Sequence, residues 1–160
     1  MIRRCTDADV ATVDAIINEA ATAYRGIIPS DCWREPYMER SHLLEEIAAG
    51  VEFWGWDEEG VLVGVMGLQR VHEVTLIRHA YVRPSHQGRG IGGALLTELA
   101  GQTDGSLLVG TWASAKWAIR FYERHGFRLV TIEEKDRLLN SYWNISSRQR
   151  QTSVVLARSR

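Results

Sequence analysis

The chain has 160 residues, 45% of them hydrophobic and 24% charged, which suits one ordinary soluble domain with a buried core. Nineteen basic residues nearly balance twenty acidic ones. That balance argues against a nucleic-acid partner or an anionic membrane held by a general field, so any bound anion must be gripped by local geometry.

Residues 1–10 carry Arg3, Arg4, Asp7 and Asp9 and no apolar core of a signal peptide, and no apolar run reaches membrane-spanning length. The expected address is the cytoplasm, with no membrane partner. Cys5 and Cys32 stand alone without metal-type spacing, and read as free thiols in a reducing compartment. No metal site is expected. With no repeat and no low-complexity linker, residues 1–160 are expected to form a single domain.

In chain order, residues 2–5 suggest a short opening strand. Thr6, with Asp9 three positions on, reads as a capping box opening a helix on Val10, Val13, Ile16, Ile17 and Ala20. Residues 24–37 mix Gly26, Pro29 and Pro36 with aromatics, the mark of an ordered loop or broken helix. Residues 41–49 form a short helix that Gly50 stops. Residues 51–56, 61–69 and 74–83 are three strands, turned at Glu58-Glu59-Gly60 and near His72-Glu73 into an antiparallel meander. A helix over 90–100, a strand over 107–111, a helix over 116–124 stopped by Gly126, and a strand over 127–131 follow. Thr131 and Glu134 open another capped helix through about Tyr142, and residues 152–157 close the chain as a strand. The order predicts a mixed α/β (α+β) fold. Its central twisted sheet has about seven mostly antiparallel strands, one parallel pair near the middle, and helices on both faces.

The most informative stretch is Gln87-Gly88-Arg89-Gly90-Ile91-Gly92-Gly93, which follows the third meander strand and enters a helix. Glycines let backbone approach a ligand closely, and unpaired N–H groups at a helix start attract a pyrophosphate. Gly88, Gly90 and Gly93 literally match the dinucleotide fingerprint G-x-G-x-x-G. The context opposes a redox dinucleotide site: a meander precedes the loop, and residues 107–111 hold no acid for a ribose. No nucleoside-triphosphate loop with its Gly-Lys-Ser/Thr end exists either.

The same loop reads as Gln-x-x-Gly-x-Gly at Gln87, Gly90 and Gly92, after Ala80-Tyr81-Val82-x-Pro84. With Phe121-Tyr122-Glu123-Arg124-His125-Gly126-Phe127 about thirty residues on, it resembles the GNAT acetyltransferase superfamily over about four fifths of the chain. The resemblance implies an N-acyltransferase that moves an acetyl group from acetyl-CoA, as cosubstrate and without metal, to a primary amine. The amine would belong to a small molecule or a peptide and attack directly in a ternary complex. It implies that acetyl-CoA lies where strands 74–83 and 107–111 splay apart, with the backbone of Ala80, Tyr81 and Val82 along the pantetheine. Gln87, Gly88, Arg89, Gly90, Ile91, Gly92 and Gly93 would hold the pyrophosphate, and the Ala80 N–H would stabilise the oxyanion. Tyr122 would protonate the leaving thiolate.

Where the family often carries acids, this chain has Leu76 and Gly110, and Ala115 replaces an asparagine. Glu73, His79, Glu134 or a water relay remain as bases, and a non-catalytic acyl-CoA-binding regulatory module is the alternative function. By strand alternation Leu76, Arg78 and Ala80 share a face, turning Arg78 either to a substrate anion or to a salt bridge. The aromatics Trp33, Tyr37, Trp54, Trp56, Trp112 and Trp117 read mainly as packing. The segment 133–151, with Trp143, is long enough to cover the acceptor site or join a homodimer.

Overall fold

The computed structural model describes residues 1–159. Its strands are β1 (Ile2–Arg4), β2 (Glu52–Glu58), β3 (Val61–Val71), β4 (Val74–Val82), β5 (Ser106–Trp112), β6 (Arg128–Leu129) and β7 (Ser153–Arg158). They form one seven-stranded sheet in the order β1-β2-β3-β4-β5-β7-β6. All neighbours run antiparallel except β4 and β5. The helices are α1 (Val10–Ala21), α2 (Arg40–Ala48), α3 (Ile91–Ala100), α4 (Lys116–Arg124), α5 (Ile132–Tyr142) and α6 (Ser147–Gln151).

Side-chain alternation along the strands divides the core between the two faces. Met66, Leu68, Ile77, Leu107 and Val109 meet Leu95, Leu96 and Leu99 of α3 and Ile119 of α4 on one face. Phe53 and Val65 meet Val13, Ile16 and Ile17 of α1 and Leu43 of α2 on the other. Leu76, Leu108 and Val155 complete that second face under Leu138 and Leu139 of α5.

Most predicted elements stand within a residue or two of their positions. The Thr6–Asp9 capping box forms, although it opens a short 3-10 turn ahead of α1. Thr131 Oγ1 accepts from the Glu134 N–H at 3.2 Å and starts α5, which ends at Tyr142. Residues 24–37 are an irregular loop with a 3-10 turn over Ser30–Cys32. The last short strand is the poorest match: of residues 127–131 Arg128 and Leu129 form the strand on β7, and the Val130 N–H adds one bond to the Val155 carbonyl at 3.0 Å.

The alternation across 76–80 needs correction. Arg78 pairs with Gly67 and Tyr81 with Val65, so His79 and Ala80 together oppose Met66. This is a β-bulge. Past it the alternation reverses, and Ala80 packs with the α3 side while Arg78 and His79 both reach Glu46 on α2. His79 takes φ +52°, a left-handed conformation that costs a non-glycine residue about 1–2 kcal/mol. Gly67 makes room for the bulge, since a Cβ there would lie 2.9 Å from the Arg78 carbonyl and 3.0 Å from Val51.

Gly67→Ala is therefore expected to destabilise the fold by about 1–3 kcal/mol, read as a lower urea midpoint at unchanged slope. An unchanged midpoint would show that β4 retreats freely. A second expectation concerns the N-terminus. Arg3 donates to Asp9 at 2.9 and 3.0 Å and to Asp57 at 2.8 Å. Hydrogen bonds from Arg3 and from the Thr6 N–H hold the Asp9 carboxyl down at about 2. A depressed carboxylate stabilises the fold above its unfolded pKa of about 3.9, and that contribution fades as pH falls through the folded value. The stability gap between wild type and Asp9→Asn should accordingly be full at neutral pH and close between about pH 4 and pH 2 in acid denaturation curves.

Candidate active site

The parallel pairing of β4 and β5 begins at Val74 and Ser106 and ends at Ile77 and Val109. Beyond that point β4 keeps its partner β3 through Tyr81 and Val82, but its other edge faces no strand. The wedge opens into two cavities. One, on the α3–α4 side, is bounded by Ala80, Val82, Gly92, Trp117 and Phe121. The other is bounded by Arg78, His79, Gly110, Thr111, Trp112 and Trp143. Ala80, Tyr81, Tyr24 and Tyr122 line both, so they stand at the junction.

The glycine loop lies at the outer end of the first cavity, with which it shares Val82, Gln87, Gly92, Phe121 and Arg124. Its glycines do two different jobs. Gly88 and Gly90 take φ +78° and +79° with open space where a Cβ would sit, and Gly90 caps α3. Gly92 and Gly93 instead let α3 approach α4: an added Cβ would lie 3.4 Å from the Phe121 ring or 2.8 Å from His125 Nε2. The first-turn N–H groups of α3 have no partner inside the helix, an arrangement that suits an anion.

Two side chains of the loop are already engaged. Gln87 donates to the Val82 carbonyl at 3.1 Å, and Arg89 donates to Glu58 at 2.8 Å. Arg124, on α4, has no carboxylate partner among the described residues and lines both the groove and the loop cavity. It is the free cation beside the glycines. Sequence reasoning quoted it within the second motif without giving it a role.

Tyr122 is buried at 5% exposure, held edge-on between Phe121 and Phe127 at ring distances of 5.1 and 5.5 Å. Burial pushes its phenol up, so it stays protonated at neutral pH. Tyr24, Tyr37 and Tyr81 gather their hydroxyls across the junction, and burial raises all three; Tyr37 is pushed up to about 12. Trp112 Nε1 donates to the Tyr37 hydroxyl at 2.8 Å. These phenols are proton donors and not bases.

The proposed bases separate clearly. Glu73 takes a hydrogen bond from the Tyr142 hydroxyl at the β3–β4 turn, and Glu134 pairs with Arg128 on the surface; neither lines the second cavity. His79 does line it. Leu76 is buried among aliphatics, and Ala115 is the buried residue ahead of α4. An added Cβ at Gly110 would lie 3.6 Å from Trp143, whose ring covers this point of β5. Arg78 forms a salt bridge to Glu46 at 2.6 Å and donates to Gln69 at 3.0 Å, while still lining the cavity. Burial pushes the Glu46 carboxyl up, but the His79 hydrogen bond and the electrostatic pull of His79, Arg78 and His42 outweigh it, and the net direction is down. Glu46 is the polar residue that sequence reasoning missed. Trp143 and Ile145 confirm only that the segment after α5 reaches the cavity wall.

The family model described as an acetyltransferase (GNAT) domain matches residues 49–129, which include the wedge, the glycine loop and α4. Among curated proteins, the peptidyl-lysine N-acetyltransferase YiaC of Escherichia coli (strain K12) is 26% identical over 148 residues, covering 91% of this chain and 95% of that protein. Among solved structures, the PaiA N-acetyltransferase of Thermoplasma acidophilum in complex with coenzyme A superposes with TM-score 0.74 at 18% identity, covering 100% of this chain and 98% of that one. The ribosomal-protein-S18-alanine N-acetyltransferase of Escherichia coli gives TM-score 0.71 at 18% identity, covering 99% and 92%. The structural likenesses establish the fold, and the family match takes in the strands and loop that build the wedge. The chain belongs to the GNAT family and is an acetyl-CoA-dependent N-acetyltransferase.

Proposed function

We propose that the chain acts as one acetyltransferase domain that moves an acetyl group from acetyl-CoA to a primary amine by direct attack, with both substrates bound together. The single observation that carries this reading is the end of β4–β5 pairing at Ile77 and Val109, beside both the glycine loop and Tyr122. It leaves the outer half of β4 with free backbone groups, the kind of edge to which an extended amide chain adds as a further strand.

The free edge at Ala80, Tyr81 and Val82 suits the two amides of a pantetheine. Gly88 and Gly90, the Arg89, Ile91, Gly92 and Gly93 backbone, and the start of α3 suit a pyrophosphate, with Arg124 as its counter-charge. Gln87 keeps the end of β4 in place through Val82. Acetyl-CoA supplies an activated acyl carbon and a thiolate leaving group. The neutral amine enters from the second cavity, and its nitrogen attacks the thioester carbonyl at the junction. The Ala80 N–H stabilises the oxygen as it gains charge, an effect of about 3 kcal/mol where such donors have been removed from other enzymes. As the C–S bond breaks, Tyr122 gives its proton to sulfur, and the phenolate recovers one from the new amide nitrogen.

For the acceptor, the relative that acts on peptidyl-lysine makes a lysyl side chain in a peptide the first candidate. A small-molecule amine uses the same chemistry. The alternative of a non-catalytic acyl-CoA-binding module is disfavoured by Tyr122, which puts a protonated phenol at the junction of both cavities, where a leaving thiolate would need a proton.

Release of CoA thiol from acetyl-CoA, followed across lysyl peptides, peptides with a free N-terminus and simple alkylamines, tests the reading; acetyl-CoA binding without turnover on any of them favours the module. Gly90→Ala is expected to weaken acetyl-CoA binding about tenfold by calorimetry, because alanine resists φ +79°. Tyr122→Phe is expected to lower kcat by about 10²-fold while leaving acetyl-CoA affinity in place. Full turnover by Tyr122→Phe, with chemistry rate-limiting, would remove the tyrosine from the reaction.

A further inference from the structure

An ammonium group does not attack a thioester, so an alkylamine acceptor must lose a proton before or during entry. The second cavity has no carboxylate on its lining among the described residues, and the guanidinium of its Arg78 is tied to Glu46 and Gln69. The cavity thus offers an incoming ammonium no acidic side chain to take its proton. None of its phenols serves, because Tyr24, Tyr37, Tyr81 and Tyr122 are all raised by burial. One lining residue remains.

We infer that His79 is the general base that takes the proton of the incoming ammonium, and that Glu46 of α2 is the positioning residue that sets its tautomer. His79 Nε2 lies 2.8 Å from Glu46 Oε1. The same oxygen receives Arg78 Nη2 at 2.6 Å. Glu46 Oε2 lies 3.1 Å from His42 Nε2 without the alignment of a hydrogen bond. Glu46 is 9% exposed and held in its ionised form, so it only accepts, and Nε2 must carry the hydrogen. That leaves the Nδ1 lone pair, which has no partner among the described residues, as the atom that meets the amine.

The ring is held from other directions too. Phe53 of β2 stacks on it at 6.1 Å and 24°, and the bulge sets it with Arg78 on the α2 side of the sheet, at a residue that lines the second cavity. A position with φ +52° is made for glycine, yet the chain places a histidine there. Glu59 and His72 take the same conformation at turns, whereas His79 takes it inside a strand at a cavity wall, where strain points to a functional side chain. The charged or titratable groups around it are Glu46 and His42 from α2, Arg78 from its own strand, and the four phenols.

The step balances. One proton of R–NH3+ passes to Nδ1 and then to solvent, the free pair forms the C–N bond, and the C–S bond breaks. The second proton leaves the nitrogen for the Tyr122 phenolate, which has protonated the thiolate. The products are the amide, CoA thiol and one released proton.

The inference rests on the acetyltransferase reading, and the experiment separates the two. Wild type, His79→Gly, Glu46→Gln and the double variant are compared for thiol release on whichever amine of the panel the wild type uses, and for acetyl-CoA affinity. Glycine accepts the backbone conformation at position 79, so the fold tolerates the change. His79→Gly is expected to lose about 10²-fold in kcat with acetyl-CoA affinity intact, and added imidazole to restore part of the rate. Glu46→Gln is expected to cost about tenfold alone and nothing further in the His79→Gly background, the non-additivity of groups that act as a unit. A wild type that turns over no amine overturns the reading and the inference together. Undiminished turnover by His79→Gly overturns the inference alone. A loss that imidazole does not rescue, or additive losses, would make the pair packing residues and overturn it as well.

Discussion

Two residues of β4 facing one residue of β3 is the constraint on which the site depends. A strand of regular pleat would carry its pairing with β5 past Ile77 and Val109, and would leave no free edge. The extra residue at His79–Ala80 increases the local twist and turns the outer half of β4 away from β5. It also exchanges the faces. Ala80 and Val82 go to the α3 side, where the glycine loop lies, and His79 joins Arg78 on the side of α2. One irregularity thus sorts backbone donors and polar side chains into separate cavities. Gly67 is the concession on β3 that lets the two strands stay close.

The electrostatics of the junction follow from the same arrangement. Four tyrosines converge there, Tyr122 buried and the others half-buried, and burial keeps every phenol neutral. In the proposed reaction a neutral junction would strengthen the few dipoles aimed at the reacting carbonyl, the Ala80 N–H first among them. Charge is confined to the rim. Arg124 stands free beside the glycine loop, while Arg78 is tied to Glu46 and Gln69 at the other mouth. Placing cations outside and phenols inside lets an anionic donor be held tightly without surrounding the reacting carbon with fixed charge.

How much of this was legible follows from which forces act locally. Capping boxes, glycine stops and helical periodicity are neighbour interactions, so α1, α5 and the start of α3 could be read from residues such as Thr6, Thr131 and Gly90. The mixed sheet and its parallel pair followed from the order of elements. The bulge could not be read, because Leu76-Ile77-Arg78-His79-Ala80 alternates acceptably on paper, and only the register against Met66 breaks it. Glu46 was invisible for a related reason. A glutamate in a short helix with charged neighbours looks solvated, and only packing of α2 over β4 buries it. Glu73 and Glu134 looked equally eligible as bases in the sequence, and their positions at a turn and on the surface decided against them.

The same contrast explains why the donor was readable and the acceptor was not. The proposed donor site is made mostly of backbone: a free strand edge, two left-handed glycines and a helix start, all within residues 80–93. Backbone geometry of that kind imposes glycine and proline at fixed spacing, and so writes itself into a short motif. The acceptor cavity is made of side chains delivered from far apart, with Tyr24 and Tyr37 before α2, His79 on β4, Trp112 on β5, and Trp143 and Ile145 after α5. No local spacing relates these residues, and each alone passes for core. Their meaning arises only when the sheet brings them to one wall. On the proposed reading, specificity for the amine therefore resides in the part of the chain least constrained by the fold, where side chains can change without disturbing the wedge proposed for the donor.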